Sequence, residues 1–103
     1  MSFSVSSSIE HSGAVVISVR GTVEHTTVAS LCDTINHDVE QHRPAFVYVD
    51  LQYVTYIDAA AVGALDACRR SARNGGTSVL LRNASAAVDR TLQLSGMFGR
   101  PGG

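Results

Sequence analysis

The chain has 103 residues, of which 45% are hydrophobic and 17% charged, so it fits one globular domain and is not a disordered chain. Its formal net charge is −1, and no basic excess predicts binding to nucleic acid or to an anionic membrane. All eight basic residues are arginine, which together with the many alanines favours a GC-rich bacterial genome. We expect a single domain over residues 1–103, with its core at about 3–97 and a loose tail at 98–103.

The N-terminal residues and the cysteines indicate the cellular compartment of the protein. Residues 1–11 are rich in serine and lack the basic start and apolar stretch of a signal peptide, and no apolar run is long enough to span a bilayer. We therefore expect a cytoplasmic protein without membrane insertion. In a reducing cytosol, Cys32 and Cys68 are expected to be small core residues, and a redox role is the alternative.

The first part of the chain predicts a hairpin. Residues 3–9 alternate between apolar side chains and serine, which is typical of a strand with one polar face. Ser12 and Gly13 then predict a turn. Residues 14–19 are rich in β-branched side chains and predict a more buried strand, which Gly21 is expected to end.

An amphipathic helix follows the hairpin. Residues 24–27 offer polar caps for it, and Pro44 ends the connection after it. Asp38 and Glu40 are predicted to lie on a solvated face. The apolar stripe recurs at helical spacing and consists of Val28, Leu31, Cys32, Ile35 and Val39.

The middle of the chain predicts a strand and a second helix. Residues 45–51 form an apolar strand, Gln52 and Tyr53 predict a turn, and a short apolar piece occupies residues 54–57. Asp58 is a strong candidate for the N-cap of a helix that is rich in small residues. Residues 74–76, Asn-Gly-Gly, are expected to end that helix.

The last part of the chain completes an α/β fold. A strand is predicted at residues 78–81, a turn and cap at 83–85, and a short helix that carries Val88 and Leu92. The order is therefore β-β-α-β-α-β-α. Because parallel strands are joined by right-handed crossovers, we expect a mixed central sheet of about four strands with the helices mainly on one face.

Residues 53–65 are the most distinctive segment, since a strand end, a turn and a helix start follow one another there. The small side chains of Ala59, Ala60 and Ala61 leave the amide groups at the positive end of the helix open to a partner or an anion. The plainer interpretation is that Asp58 caps the helix and that the small residues allow close packing. The residues alone favour this plainer interpretation.

Several kinds of catalytic and binding site are not indicated. The chain contains no lysine, no nucleotide-binding glycine loop and no Gly-x-Ser-x-Gly motif. The four histidines, which lie on polar stretches without a second ligand at metal spacing, are His11, His25, His37 and His42. We therefore expect a protein that is not an enzyme and that needs no cofactor or metal.

Residues 47–65, VYVDLQYVTYIDAAAVGAL, resemble the signature of the STAS family, the domain shared by anti-sigma factor antagonists and sulfate transporter tails. The matching parts are Asp50-Leu51, the segment 54–58 that ends in Ile-Asp, and Val62-Gly63. Residues 20–27 are similar to the loop that opens the first helix of the family, and residues 83–96 are similar to its closing segment. The resemblance extends from about residue 3 to residue 97.

The resemblance implies a regulator that binds a protein. Antagonists of this family bind an anti-sigma factor, a serine-protein kinase with a histidine-kinase-like ATPase fold, and so free a sigma factor. The kinase phosphorylates a Ser or Thr two residues after the family Asp, where this chain has Ala60. The implied partner surface consists of Glu24, His25, Asp58, Ala59, Ala60, Ala61 and Val62. An antagonist that is always active is one consequence, controlled by abundance, by another protein or by redox chemistry at the two cysteines.

Other functions remain open for a domain of this family. The chain could be a scaffold subunit of an ABC-type membrane transport complex. It could also bind a small ligand or nucleotide at the helix start of Asp58, although the absence of lysine weakens that hypothesis. Many family members continue beyond the closing segment, where this chain has only residues 97–103, so a homodimer could cover apolar surface that is left exposed.

Overall fold

The computed structural model of the protein describes residues 3–96. The elements follow the predicted order β-β-α-β-α-β-α. They are β1 (Ser4–Ile9), β2 (Val15–Val23), α1 (Val28–His42), β3 (Phe46–Ile57), α2 (Ala59–Asn74), β4 (Ser78–Arg82) and α3 (Ala86–Ser95). The predicted loose tail, residues 98–103, lies outside the described residues.

The four strands form one mixed sheet in the order β1-β2-β3-β4. β1 is antiparallel to β2, whereas β2, β3 and β4 are parallel to one another. α1 packs against α2 and β2, and α3 packs against α2 and β3, so the predicted placement of the helices on one face is confirmed. Since α1 follows β2 and α2 follows β3, both helices begin at the carboxyl edge of the sheet.

The core lies between the sheet and the helices. Alternate residues of β2, and of β3 as far as Leu51, face the helices and are buried, as the period of two in a strand requires. Beyond Leu51 the register shifts, and the buried residues of β3 are Val54 and Ile57. The largest fully buried side chains are Ile17, Leu31, Ile35, Leu51, Ile57 and Leu65. β1 is an edge strand, and apart from the half-buried Val5 all of its residues are exposed.

Two predicted strand ends are wrong, and they share one cause. Gly21 does not end β2, because it takes a φ of +96° where the register shifts, and the strand continues to Val23. Gln52 and Tyr53 do not form a turn, because β3 runs without interruption to Ile57. At each of the two register shifts β3 has one residue more than β2, and these bulges keep the two long strands paired as far as Val23 and Ile57.

The predicted solvated position of Asp38 is also wrong. This side chain is only 6% exposed, whereas Glu40 is exposed. Asp38 follows Ile35 by three positions and Leu31 by seven, so the helical repeat places it on the buried face of α1. Within residues 3–96, its Oδ2 has no hydrogen-bond partner.

The sheet face away from the helices is partly apolar. Phe46 and Leu80 are exposed on it, and the ring of Tyr48 stacks on Phe46 with centroids 6.1 Å apart. The guanidinium of Arg82 lies 4.9 Å from the centre of the Tyr48 ring and covers part of it. A homodimer of the kind considered above would have this face available.

Candidate functional site

Asp58 caps the N-terminus of α2, as the sequence predicts. Its backbone is extended, with φ −99° and ψ 167°, and its Oδ1 accepts a hydrogen bond of 2.7 Å from the Ala61 N–H. The Val62 N–H donates to the Asp58 carbonyl at 3.0 Å. The amides of Ala59 and Ala60 precede these bonds, at the end of the helix that carries partial positive charge.

The start of α2 is joined to the loop that precedes α1. The Asp58 N–H donates to the carbonyl of Val23 at 3.2 Å, beside Glu24. Within the loop, Thr27 Oγ1 accepts from the Glu24 N–H at 2.9 Å and donates to the Thr22 carbonyl at 2.8 Å. The two segments that the sequence singled out therefore form one hydrogen-bonded unit at the carboxyl edge of the sheet.

The seven predicted partner-binding residues differ in exposure. Those that are exposed or half-buried are Glu24, His25, Asp58, Ala59 and Ala60. Ala61 and Val62 are fully buried and hold α2 against the core. The first five could therefore touch a partner directly, whereas Ala61 and Val62 could act only by positioning the helix.

The exposed side of the first two turns of α2 carries only small side chains. Ala59, Ala60 and Ala64 present only methyl groups there. Gly63 has no side chain, and the space beside it is open, because a Cβ added there would meet no atom within 4 Å. A partner surface can approach the backbone of this helix closely, because few side-chain atoms stand between them.

Two tyrosines beside the site were missed as a possible contact surface. Tyr53 and Tyr56 are 49% and 53% exposed on the last part of β3, just before Asp58. The guanidinium of Arg20 lies 4.2 Å from the centre of the Tyr53 ring. Tyr53 directly precedes buried Val54 and Tyr56 directly precedes buried Ile57, but the mistaken turn at Gln52-Tyr53 hid their place on one strand.

Other residues of the recognised motifs hold turns together. Asp50 Oδ1 accepts from the Gln52 N–H at 2.9 Å, and its Oδ2 accepts from Asn83 Nδ2 at 3.2 Å. Asn83 has a φ of +62°, a conformation that asparagine tolerates better than most residues. Ser85 caps α3 through a 3.2 Å bond from the Val88 N–H. These contacts join the middle of β3 to the residue that follows β4 and fix the start of α3.

Within residues 3–96, no three or more His, Cys, Asp and Glu side chains are grouped so that they could hold a metal ion. None of the helices in that range combines the length and the apolar character needed to cross a bilayer.

Replacing Asp58 by alanine is expected to lower the free energy of unfolding by about 1 kcal/mol, because the Ala61 amide loses its capping acceptor. Asp58→Asn keeps an oxygen at the same place and should recover most of the loss. Urea unfolding of the three proteins measures the difference. Equal stability of the alanine variant and the native protein would contradict a capping role.

Comparisons with known proteins agree with this architecture. The family model for the STAS domain matches residues 7–101. SpoIIAA, an anti-sigma factor antagonist solved in its unphosphorylated form, has a TM-score of 0.76 at 20% identity, over 91% of this chain and 82% of that chain.

Two further structures extend the comparison. An anti-sigma factor antagonist from Mycobacterium paratuberculosis has a TM-score of 0.74 at 25% identity, over 92% of this chain and 79% of that chain. SLC26A9 shares the fold with a TM-score of 0.64 at 15% identity, over 84% of this chain and 16% of that much longer chain. The family match covers nearly the whole chain, and the protein therefore belongs to the STAS domain family.

Proposed function

We propose that this domain is a cytoplasmic, non-catalytic regulator of the anti-sigma factor antagonist type. It binds an anti-sigma factor with a histidine-kinase-like ATPase fold and thereby releases a sigma factor. The observation that carries the proposal is the hydrogen-bonded unit formed by the Asp58 helix start and the Glu24 loop. The similarity to structures described as anti-sigma factor antagonists supports it.

The exposed side chains at the carboxyl edge of the sheet suit contact with a protein partner. The methyl groups of Ala59 and Ala60 can be buried without loss of hydrogen bonds, and Tyr53 and Tyr56 are residues of the type that dominate binding energy in interfaces. Glu24 adds a carboxylate that can pair with a basic side chain of the partner. Because the backbone is held by internal hydrogen bonds, little order has to be gained on binding.

Ala60 occupies the position at which the family resemblance implies regulation by phosphorylation. A phosphate at this position would add a charge of about −1.5 to −2 and considerable bulk to the surface that contacts the partner. The positive end of α2 would tolerate that charge, so the domain would stay folded while the partner dissociated. Ala60 has no hydroxyl to accept a phosphate, and we infer an antagonist that is not switched at this residue.

Serine in place of Ala60 is expected to restore phosphorylation. The native protein and Ala60→Ser would be titrated against the anti-sigma kinases of the same genome with Mg-ATP, following complex formation and phosphate transfer together. The native protein should bind one kinase and stay unmodified. The serine variant should bind the same kinase, accept one phosphate and then lose affinity at least about tenfold, a change of about 1.4 kcal/mol.

Three results of this titration would count against the proposal. Binding of neither form to any kinase would remove the sigma-factor function. Binding to the ATPase subunit of a transporter, included beside the kinases in the titration, would instead establish the scaffold alternative. Phosphate transfer to the native protein would contradict the inference from Ala60, and mass mapping would locate the modified residue.

A further inference from the structure

The two cysteines lie against each other where α1 packs on α2. Cys32 Sγ donates to the carbonyl of Ala64 at 3.8 Å, and Ala64 lies one helical turn before Cys68. In the opposite direction, Cys68 Sγ lies 4.0 Å from the Cys32 carbonyl and 3.6 Å from Asn36 Oδ1. Each sulfur therefore rests against the helical turn that carries the other, although the two residues are 36 positions apart in the chain.

The two thiols differ in exposure and in pKa. Cys32 is half-buried, whereas Cys68 is buried. A hydrogen bond from the Cys68 thiol lowers the pKa of Cys32, against the opposing effects of burial and of Asp33. The same hydrogen bond, together with burial, raises the pKa of Cys68. Cys32 is thus the more accessible sulfur and the one closer to the reactive thiolate form.

We propose that Cys32 and Cys68 are a redox modification site that a peroxide converts reversibly into a disulfide, with Cys32 as the reacting thiol and Cys68 as the resolving thiol. The site is separate from the partner surface, and its chemistry does not depend on which partner that surface binds. Disulfides that form in reducing compartments are usually transient in this way.

The reaction balances with one molecule of hydrogen peroxide. The Cys32 sulfur attacks one peroxide oxygen, the O–O bond breaks, and water leaves while Cys32 becomes a sulfenic acid. The Cys68 sulfur then attacks the Cys32 sulfur, the S–O bond breaks, and the departing hydroxide takes the Cys68 thiol proton to form a second water. Two thiols are oxidised, the peroxide is reduced to two waters, and a dithiol reductant reverses the change.

The cross-link would join the two helices that begin at the partner surface. Cys32 is the fifth residue of α1, and Cys68 is the tenth residue of α2. Both helices start at the carboxyl edge of the sheet, after Glu24 and Asp58 respectively. A disulfide between Cys32 and Cys68 would therefore fix α1 relative to α2, and with them the two helix starts at that edge.

Peptide mapping after peroxide treatment tests the proposal. Reduced protein is treated with hydrogen peroxide, quenched and digested without reductant by a protease that cleaves after glutamate. Cleavage after Glu24 and Glu40 places Cys32 in peptide 25–40 and Cys68 in peptide 41–103, so a disulfide joins two separate peptides. Trypsin would not separate the cysteines, because Arg43 precedes Pro44.

The expected result is a joined pair of peptides that dithiothreitol separates, from a protein that has lost two hydrogen atoms. Cys68→Ser should instead accumulate sulfinic acid at Cys32, because no resolving thiol is present. Cys32→Ser should leave Cys68 reduced at the same dose. The proposal is overturned if native Cys32 is over-oxidised without cross-linking, if peroxide leaves both thiols unchanged, or if the two serine variants oxidise at equal rates.

Discussion

An arginine in place of Ala60 is expected to weaken binding of the anti-sigma partner at least about 100-fold, which is about 3 kcal/mol. Ala60 is exposed in the first turn of α2, where the proposed interface needs close approach to the helix. The long side chain would hold the partner away and would add a positive charge at the positive end of the helix dipole. Isothermal titration of the native and variant proteins measures the loss.

Ala67→Arg is the matched control for that experiment. Ala67 is also exposed on α2, about two turns further from the helix start, which is about 10 Å along its axis. The control should bind like the native protein, and both variants should unfold within about 0.5 kcal/mol of it. If Ala67→Arg weakened binding as much as Ala60→Arg, the interface would not be centred on the helix start.

Leu65→Ala is expected to lower the free energy of unfolding by about 2 to 5 kcal/mol. Leu65 is fully buried, and it faces the sheet from the middle of α2. Its loss removes apolar contacts and leaves a cavity that the surrounding residues fill only in part. Urea unfolding should show a lower midpoint with an unchanged slope, since the surface exposed on unfolding is nearly the same.

Leu94→Ala makes the same chemical change at an exposed position. Leu94 lies on α3 and is 81% exposed, so its truncation should change stability by less than about 0.5 kcal/mol. A large loss at Leu94, or a negligible one at Leu65, would mean that α2 and α3 are not packed as described.

The order of the elements could be predicted because the hydrophobic period changes from two to 3.6 within the sequence itself. The ends of β2 and β3 could not be predicted, because Gly21 and Gln52 are residues that locally indicate a break or a turn. The structure pairs these strands beyond both positions through irregular register. Such pairing depends on residues far apart in the chain, which local turn preferences do not describe.

The candidate site was predicted in part. Asp58 was recognised as a cap because its chemistry and its place before a helix are both local features. The burial of Ala61 and Val62 depends on which side of α2 meets the sheet, and a run of small apolar residues does not specify that side. The family resemblance named these residues as a group, and the structure separates those that face outward from those that face inward.

Displacement of a sigma factor tests the central claim most directly. A labelled sigma factor would be bound to the anti-sigma factor identified by titration, and this domain would then be added in increasing amounts with Mg-ATP. We predict that the native protein releases the sigma factor in proportion to its concentration and remains unphosphorylated, while Ala60→Arg needs at least about 100-fold more protein for the same release. A sigma factor that stays bound at saturating native protein would contradict the claim that this domain is an anti-sigma factor antagonist.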